Sequence, residues 1–128
     1  MSPKILLLED DAWLAESFSR SLRREFAEVR ILSDPDQVFD SFAKFWPDVI
    51  IADVLFGQCN LFVLLNEMQS YDDSRTIPVV ILSSLAQQIS SDDARSYGVV
   101  SVLDKTQITP AKLRSVVKEI LKGGKNAE

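Results

Sequence analysis

The sequence predicts a doubly wound α/β fold: a five-stranded parallel sheet in the order 2-1-3-4-5, with helices on both faces. Two observations carry this. Apolar runs recur at 5–8, 29–32, 49–52, 79–82 and 99–103, mostly β-branched, and several are continuous rather than alternating. Continuous runs mark strands buried on both faces, as in parallel sheets. Segments with helical spacing fill every gap, and strands alternating with helices through right-handed crossovers build an open parallel sheet.

The elements follow in order. After the first strand, Leu14, Phe18, Leu22 and Phe26 form a stripe at four-residue spacing. Asp34 before Pro35 reads as a helix cap with proline at the first helical position, opening a helix over 36–45. Leu61, Leu64, Leu65 and Met68 make a third apolar face. The segment 87–96 is polar apart from Ile89 and Ala94, so it predicts a weaker helix. Thr109 and Pro110 open the last helix, whose stripe is Leu113, Val116, Val117, Ile120 and Leu121. Gly123 and Gly124 are expected to stop it, leaving residues 1–122 as one domain and 123–128 as a flexible tail.

Composition narrows the chemistry. One domain of 128 residues buries enough surface to fold without staples. A net charge of −5 with no Lys/Arg cluster speaks against nucleic acid or an anionic membrane as a direct partner. The single cysteine, Cys59, excludes an internal disulfide and a multi-cysteine zinc site. With no histidine there is no Ser-His-Asp triad, histidine metal site or phosphohistidine. The longest apolar run is 61–65, far short of a bilayer span, and no export signal opens the chain. A cytoplasmic location is expected.

Ligands of such sheets sit at the carboxyl ends of the strands, where the strand order reverses. Strand ends here carry Glu9-Asp10-Asp11, Asp53, Ser83-Ser84 and Asp104-Lys105. Alone, each has an ordinary explanation as a cap or a solvated loop residue. Together they place carboxylates, a hydroxyl and an ammonium around one crevice.

These residues resemble the receiver domain of two-component response regulators, a flavodoxin-like fold. The resemblance spans the whole chain and rests on four pieces: Lys4-Ile-Leu-Leu-Leu-Glu-Asp-Asp11, Pro47-Asp-Val-Ile-Ile-Ala-Asp53, Ile77-Pro-Val-Val-Ile-Leu-Ser-Ser84 and Asp104-Lys105. It implies that Asp53 accepts a phosphoryl group, and that Glu9, Asp10, Asp53 and the Leu55 backbone carbonyl bind Mg²⁺. It further implies that Ser83, with Ser84 beside it, is the switch hydroxyl and Lys105 the phosphate-binding ammonium. The implied donor is a histidine kinase or phosphotransfer protein, and the implied output is a downstream effector protein or domain. The side chains two beyond the acceptor and the switch hydroxyl, Leu55 and Leu85, would flank the path of the hydrolytic water. No catalytic role beyond phosphoryl acceptance and slow self-dephosphorylation is expected.

Some positions depart from that pattern. Gly57 stands where proline is common and Leu61 where glycine is usual, which predicts a rebuilt loop with Gly57 or Asn60 at positive φ. Thr106 replaces a proline, and Val102 replaces the usual aromatic switch residue. These departures motivate the alternative of a receiver-like interaction module that no longer relies on phosphorylation. A phosphohydrolase with an aspartate nucleophile would need a second acid at Leu55, and a flavin carrier would not place Glu9-Asp10-Asp11 in its phosphate loop. Cys59 reads as an unreactive small residue, since no basic neighbour lowers its pKa. Trp13, in the first turn of helix 1, is either a surface aromatic or a rim residue of the site.

Overall fold

The computed structural model describes residues 2–123. Its main sheet joins β1 (Lys4–Leu8), β2 (Glu28–Leu32), β3 (Val49–Ala52), β6 (Val79–Ser83) and β7 (Val99–Asp104), in the order β2-β1-β3-β6-β7 with every pairing parallel. This is the expected 2-1-3-4-5 order. The intervening labels belong to a small antiparallel ribbon, β4 (Leu55–Phe56) with β5 (Cys59–Asn60).

The central strands β1, β3 and β6 are buried almost throughout, which is why they read as unbroken apolar runs. Their side chains alternate between two cores. Leu6, Leu8, Ile50, Ala52, Val79 and Ile81 face α2 (Val38–Phe42), α3 (Leu61–Gln69) and α4 (Ser91–Arg95). Ile5, Leu7, Val49, Ile51, Val80 and Leu82 face α1 (Ala12–Leu22) and α5 (Pro110–Gly123). The two-residue period of the strand thus supplies two cores from one sheet. The outer strands are more open, and the β6–β7 ladder slips so that Val99 and Ser101 pair with Val79 and Val80 while Val100 is left over.

Caps set the helix starts. Asp11 accepts from the Leu14 N–H (3.0 Å), Asp34 from Asp36 (2.9 Å) and Thr109 from Lys112 (3.1 Å), the last two as expected. Two helices are shorter than the sequence predicts. In place of a helix over 36–45 there is a 3₁₀ turn, Pro35–Gln37, followed by only five α-helical residues. The Ser41 hydroxyl donates to the Val38 carbonyl (2.6 Å), and Pro47 disfavours helical geometry at Trp46. In place of 87–96 there is a 3₁₀ turn, Ala86–Gln88, and a separate α4. Ser90 takes the extended cap geometry and accepts from Asp93 (3.3 Å), so the chain restarts there. At the other terminus α5 includes Gly123 rather than ending before it; Gly124 and the rest of the expected tail lie outside the described residues.

The rebuilt loop is the ribbon. Gly57 has φ +58° and Gln58 φ +65°, the two consecutive left-handed residues of a two-residue hairpin turn. A Cβ at Gly57 would lie 2.5 Å from Pro35 Cδ, so the ribbon tip also needs glycine for close approach. Asn60 does not take positive φ. It caps α3 at φ −75°, accepting from the Phe62 N–H (2.8 Å), while Leu61 begins the helix, buried, its N–H on the Val54 carbonyl (2.7 Å). Leucine is therefore unstrained there.

Candidate functional site

At the carboxyl end of the sheet, β1 and β3 run side by side with Leu8 opposite Ala52, and β6 and β7 with Ser83 opposite Asp104. These registers bring the residues that follow β1, β3 and β7, and the last residue of β6, to one cleft. Glu9 continues β1, its N–H bonded to the Leu32 carbonyl (3.1 Å), and its side chain is turned inward and buried. Asp53 follows β3, with its N–H on the Leu8 carbonyl (3.4 Å). Lys105 follows β7, with its N–H on the Ser83 carbonyl (3.0 Å).

Lys105 joins the two acids. Its Nζ donates to Glu9 Oε1 at 2.8 Å and to Asp53 Oδ2 at 2.5 Å, with only 13% of the lysine side chain exposed. Burial, the largest single influence on this lysine, works against its charge. The hydrogen bonds to Asp53 and Glu9 and the charges of both carboxylates together outweigh it, holding the ammonium above its ordinary pKa. Glu9 is fully engaged, since its other oxygen accepts the Asp11 N–H (3.1 Å). Asp53 is less so, because Oδ1 receives only the Leu55 N–H at 3.4 Å.

The remaining expected residues sit around this pair of ion bridges. Asp10 is exposed and turned to the ribbon, where Oδ2 accepts the Gly57 N–H (3.2 Å). Asp10 therefore does not converge with Glu9 and Asp53: among the described residues no three acidic or sulfur ligands lie close enough together to hold a metal ion. Ser83 is wholly buried, and its Oγ accepts the Leu85 N–H (3.0 Å), leaving its own proton free to be donated. Ser84 is exposed and Leu85 half-buried, while Leu55 is 56% exposed on the outer face of β4. Trp13 is 76% exposed, Cys59 is exposed on β5, and Val102 packs half-buried against the core that contains Ile81.

Asp104, which precedes Lys105 in the strand-end motif, has a part of its own. Its carboxyl is held below the usual carboxylate range, first by the Thr106 hydroxyl and N–H (2.7 and 2.9 Å) and further by Gln87, against a small opposing effect of burial. It thereby fixes the turn that follows β7. The signal for it was the Asp-x-Thr spacing, which favours a local side-chain turn.

Residues 5–118 match the model of the response regulator receiver domain. The chain belongs to that family. It is accordingly a receiver domain of two-component systems, a phosphorylation-dependent signalling module. A protein-glutamate methylesterase/protein-glutamine glutaminase of Anaeromyxobacter dehalogenans is 29% identical over 110 residues, covering 84% of this chain but 31% of that protein. The receiver domain of a signal transduction histidine kinase from Syntrophus aciditrophicus is similar in structure, with a TM-score of 0.80, 26% identity and coverage of 99% of this chain and 96% of that one. The receiver domain of a Pseudomonas aeruginosa sensor histidine kinase shares the fold at a TM-score of 0.77 and 20% identity, covering 95% of this chain and 99% of that one; it was solved with a magnesium ion in its active-site cleft. The chain thus spans about a third of the methylesterase relative, which it matches only through a receiver domain. Among the described residues no helix is long and apolar enough to cross a membrane.

Proposed function

We propose that this receiver domain accepts a phosphoryl group on Asp53 and passes the change to a partner through Ser83 and Lys105. The observation that carries the reading is the shared ammonium: Lys105 bridges Glu9 and Asp53 in a cleft assembled from separate strand ends. A solvated surface lysine would make neither contact, and a purely structural ion pair needs one acid rather than two.

In the reaction an Asp53 oxygen forms a bond to phosphorus while the bond from phosphorus to the donor breaks. The freer oxygen, Oδ1, is the candidate nucleophile, since Oδ2 is held by Lys105. The product acyl phosphate is bulkier and more negative than the carboxylate. Lys105 then pairs with a phosphoryl oxygen while keeping its contact to Glu9. The Ser83 hydroxyl, already buried beside the cleft, donates to another. Turning toward the phosphoryl group loosens its bond from the Leu85 N–H, so the 3₁₀ turn Ala86–Gln88 shifts with it. That contact exists only in the phosphorylated form, which is the differential interaction a two-state switch requires.

The donor set fits Mg²⁺. Glu9, Asp10 and Asp53 offer only oxygen and bring three negative charges against the single Lys105 ammonium, which suits a hard divalent ion better than a softer one. These residues and the Leu55 carbonyl would hold it once the Asp10 carboxylate leaves the Gly57 N–H and turns toward Glu9 and Asp53, from which it is separate here. When bound, the ion supplies charge screening between the carboxylate and the incoming phosphoryl oxygens. The donor is a histidine kinase or phosphotransfer protein, the recipient of the signal an effector protein or domain, and the setting the cytoplasm. The domain is a switch rather than an enzyme acting on a separate substrate.

The test is intact-protein mass spectrometry after incubation with Mg²⁺ and acetyl phosphate. A single phosphoryl adduct is expected on the parent and none on Asp53→Asn, which is close to isosteric and should keep the fold by circular dichroism. An adduct of equal yield on the variant would remove Asp53 from the role. No adduct on the parent would favour the interaction module.

A further inference from the structure

At the opposite end of the sheet from Asp53, four aromatic rings gather where α2 and α3 end. Phe39 meets Phe42 edge-on with centroids 5.5 Å apart, Phe42 meets Trp46 at 5.3 Å, and Phe39 meets Tyr71 at 6.0 Å. Only Phe42 is sunk into the core; Trp46 is 40% and Tyr71 51% exposed. With Asp73 and Ser74 these rings line a cavity of about 230 Å³. That is below the roughly 300–1,000 Å³ typical of small-molecule pockets and suits one long side chain.

The wall is negative. Asp73 gives one oxygen to the Ser74 N–H (2.7 Å), and its other oxygen has no partner of its own in that turn. The neighbouring Asp72 is paired with Arg75 (3.2 Å). Aromatic faces carry negative charge density, so rings beside a carboxylate attract a cation and repel an anion. The same aromatic run shows the preference at work: the guanidinium of Arg30 sits 4.6 Å from the centroid of Phe45. Among the described residues no cation of this chain lies in that way over Phe39, Trp46 or Tyr71.

The geometry points to a docking pocket for an arginine side chain presented by a segment of a partner protein, with Trp46 and Tyr71 as its aromatic walls and Asp73 as its counter-charge. The pocket is remote from the phosphorylation cleft, and the inference does not depend on Asp53 being the acceptor.

The probe is the peptide acetyl-Gly-Arg-Gly-amide, with acetyl-Gly-Leu-Gly-amide as its control, titrated into the full chain and followed by NMR of the aromatic and indole N–H signals. Saturable shifts of Trp46 and Tyr71 are expected with the arginine peptide alone, while Trp13, exposed on α1, stays still and serves as an internal reference. Trp46→Leu keeps apolar area but removes the π face, and should weaken binding about fivefold or more. Asp73→Asn keeps the acceptor for Ser74 but not the charge, and should weaken it about twofold. Equal shifts with the leucine peptide would show an apolar groove with no cation preference and overturn the inference. So would a Trp46→Leu variant that binds like the parent. Concentration-dependent self-association without peptide, abolished by Trp46→Leu, would assign the face to a second copy of the chain instead.

Discussion

The two loops that flank the cleft are built in opposite ways. On the Asp53 side, the ribbon β4–β5 is tightly determined: two left-handed residues close the turn, Phe56 is 1% exposed, and the tip rests against Pro35. On the Ser83 side, the chain passes through a 3₁₀ turn, an extended break at Ile89 and a five-residue helix, and its apolar anchors are Ala86, Ile89 and Ala94. Small side chains on short elements give little resistance to displacement, and regions of low local stability are where switches move. The phosphoryl group thus forms against a firm wall and acts on a soft one.

The largest effect separating the walls concerns water. Leu55 projects from the firm side and Leu85 from the soft side, and neither can hold or orient an attacking water. The double variant Leu55→Asn/Leu85→Glu should speed loss of the acyl phosphate by about one to two decades, each decade being ~1.4 kcal/mol on the barrier. Decay followed by mass spectrometry with Mg²⁺ present measures it, and an unchanged half-life would mean that these side chains do not gate the water. Gly57→Val attacks the firm wall directly, through the left-handed φ and the 2.5 Å approach to Pro35. It should cost about 1–3 kcal/mol in urea unfolding, against a parental reference. A neutral result would show the ribbon to be as soft as its counterpart.

Ser90→Ala removes the cap of α4 and should cost about 1 kcal/mol locally. In hydrogen exchange it should raise rates across 86–96 while leaving 54–61 unchanged; a spread into the ribbon would mean that the two walls are coupled. The smallest effect is pH-dependent and also one-sided. The Asp104 carboxyl lies below its ordinary value, so the stabilisation it gives is present above that value and is lost as pH falls through the lowered one. Acidification should therefore release the tie to Thr106 only late, below the pH at which an ordinary carboxylate protonates, seen as faster exchange at the end of β7. Thr106→Ala should abolish that dependence.

The sheet, the cleft and the weakness of the segment 87–96 were legible in the sequence; the extents of the short helices and the ribbon were not. Continuous apolar runs marked the strands because burial on both faces leaves no room for polar alternation, and the order followed from the usual arrangement of a five-stranded doubly wound sheet. The cleft was legible for the same reason, since polar groups at the ends of such runs stand out. The helix over 36–45 is shorter than expected because the Asp34-Pro35 cap marks a start and not a length, and Ser41 and Pro47 limit the backbone beyond it. Of the two candidates for positive φ, Gly57 takes it, whereas Asn60 stands directly before the apolar run 61–65, the position of a cap. The side-chain direction of Asp10 had no sequence signal at all, since it is set by the Gly57 N–H on a ribbon distant in the chain.

The slip in the β6–β7 ladder has a consequence for the molecule at high concentration. An open sheet has two edges, each a row of free backbone groups able to template a neighbouring chain. On the β7 edge Val100 is the extra residue, and such bulges twist a strand away from the flat geometry that pairing requires. On the β2 edge, Glu28 and Arg30 point outward and would bring charge into any intermolecular ladder. The Val100 side chain is 54% exposed, yet the backbone beneath it is the wrong shape to recruit a partner strand, so the fold guards against aggregation where it looks most adhesive.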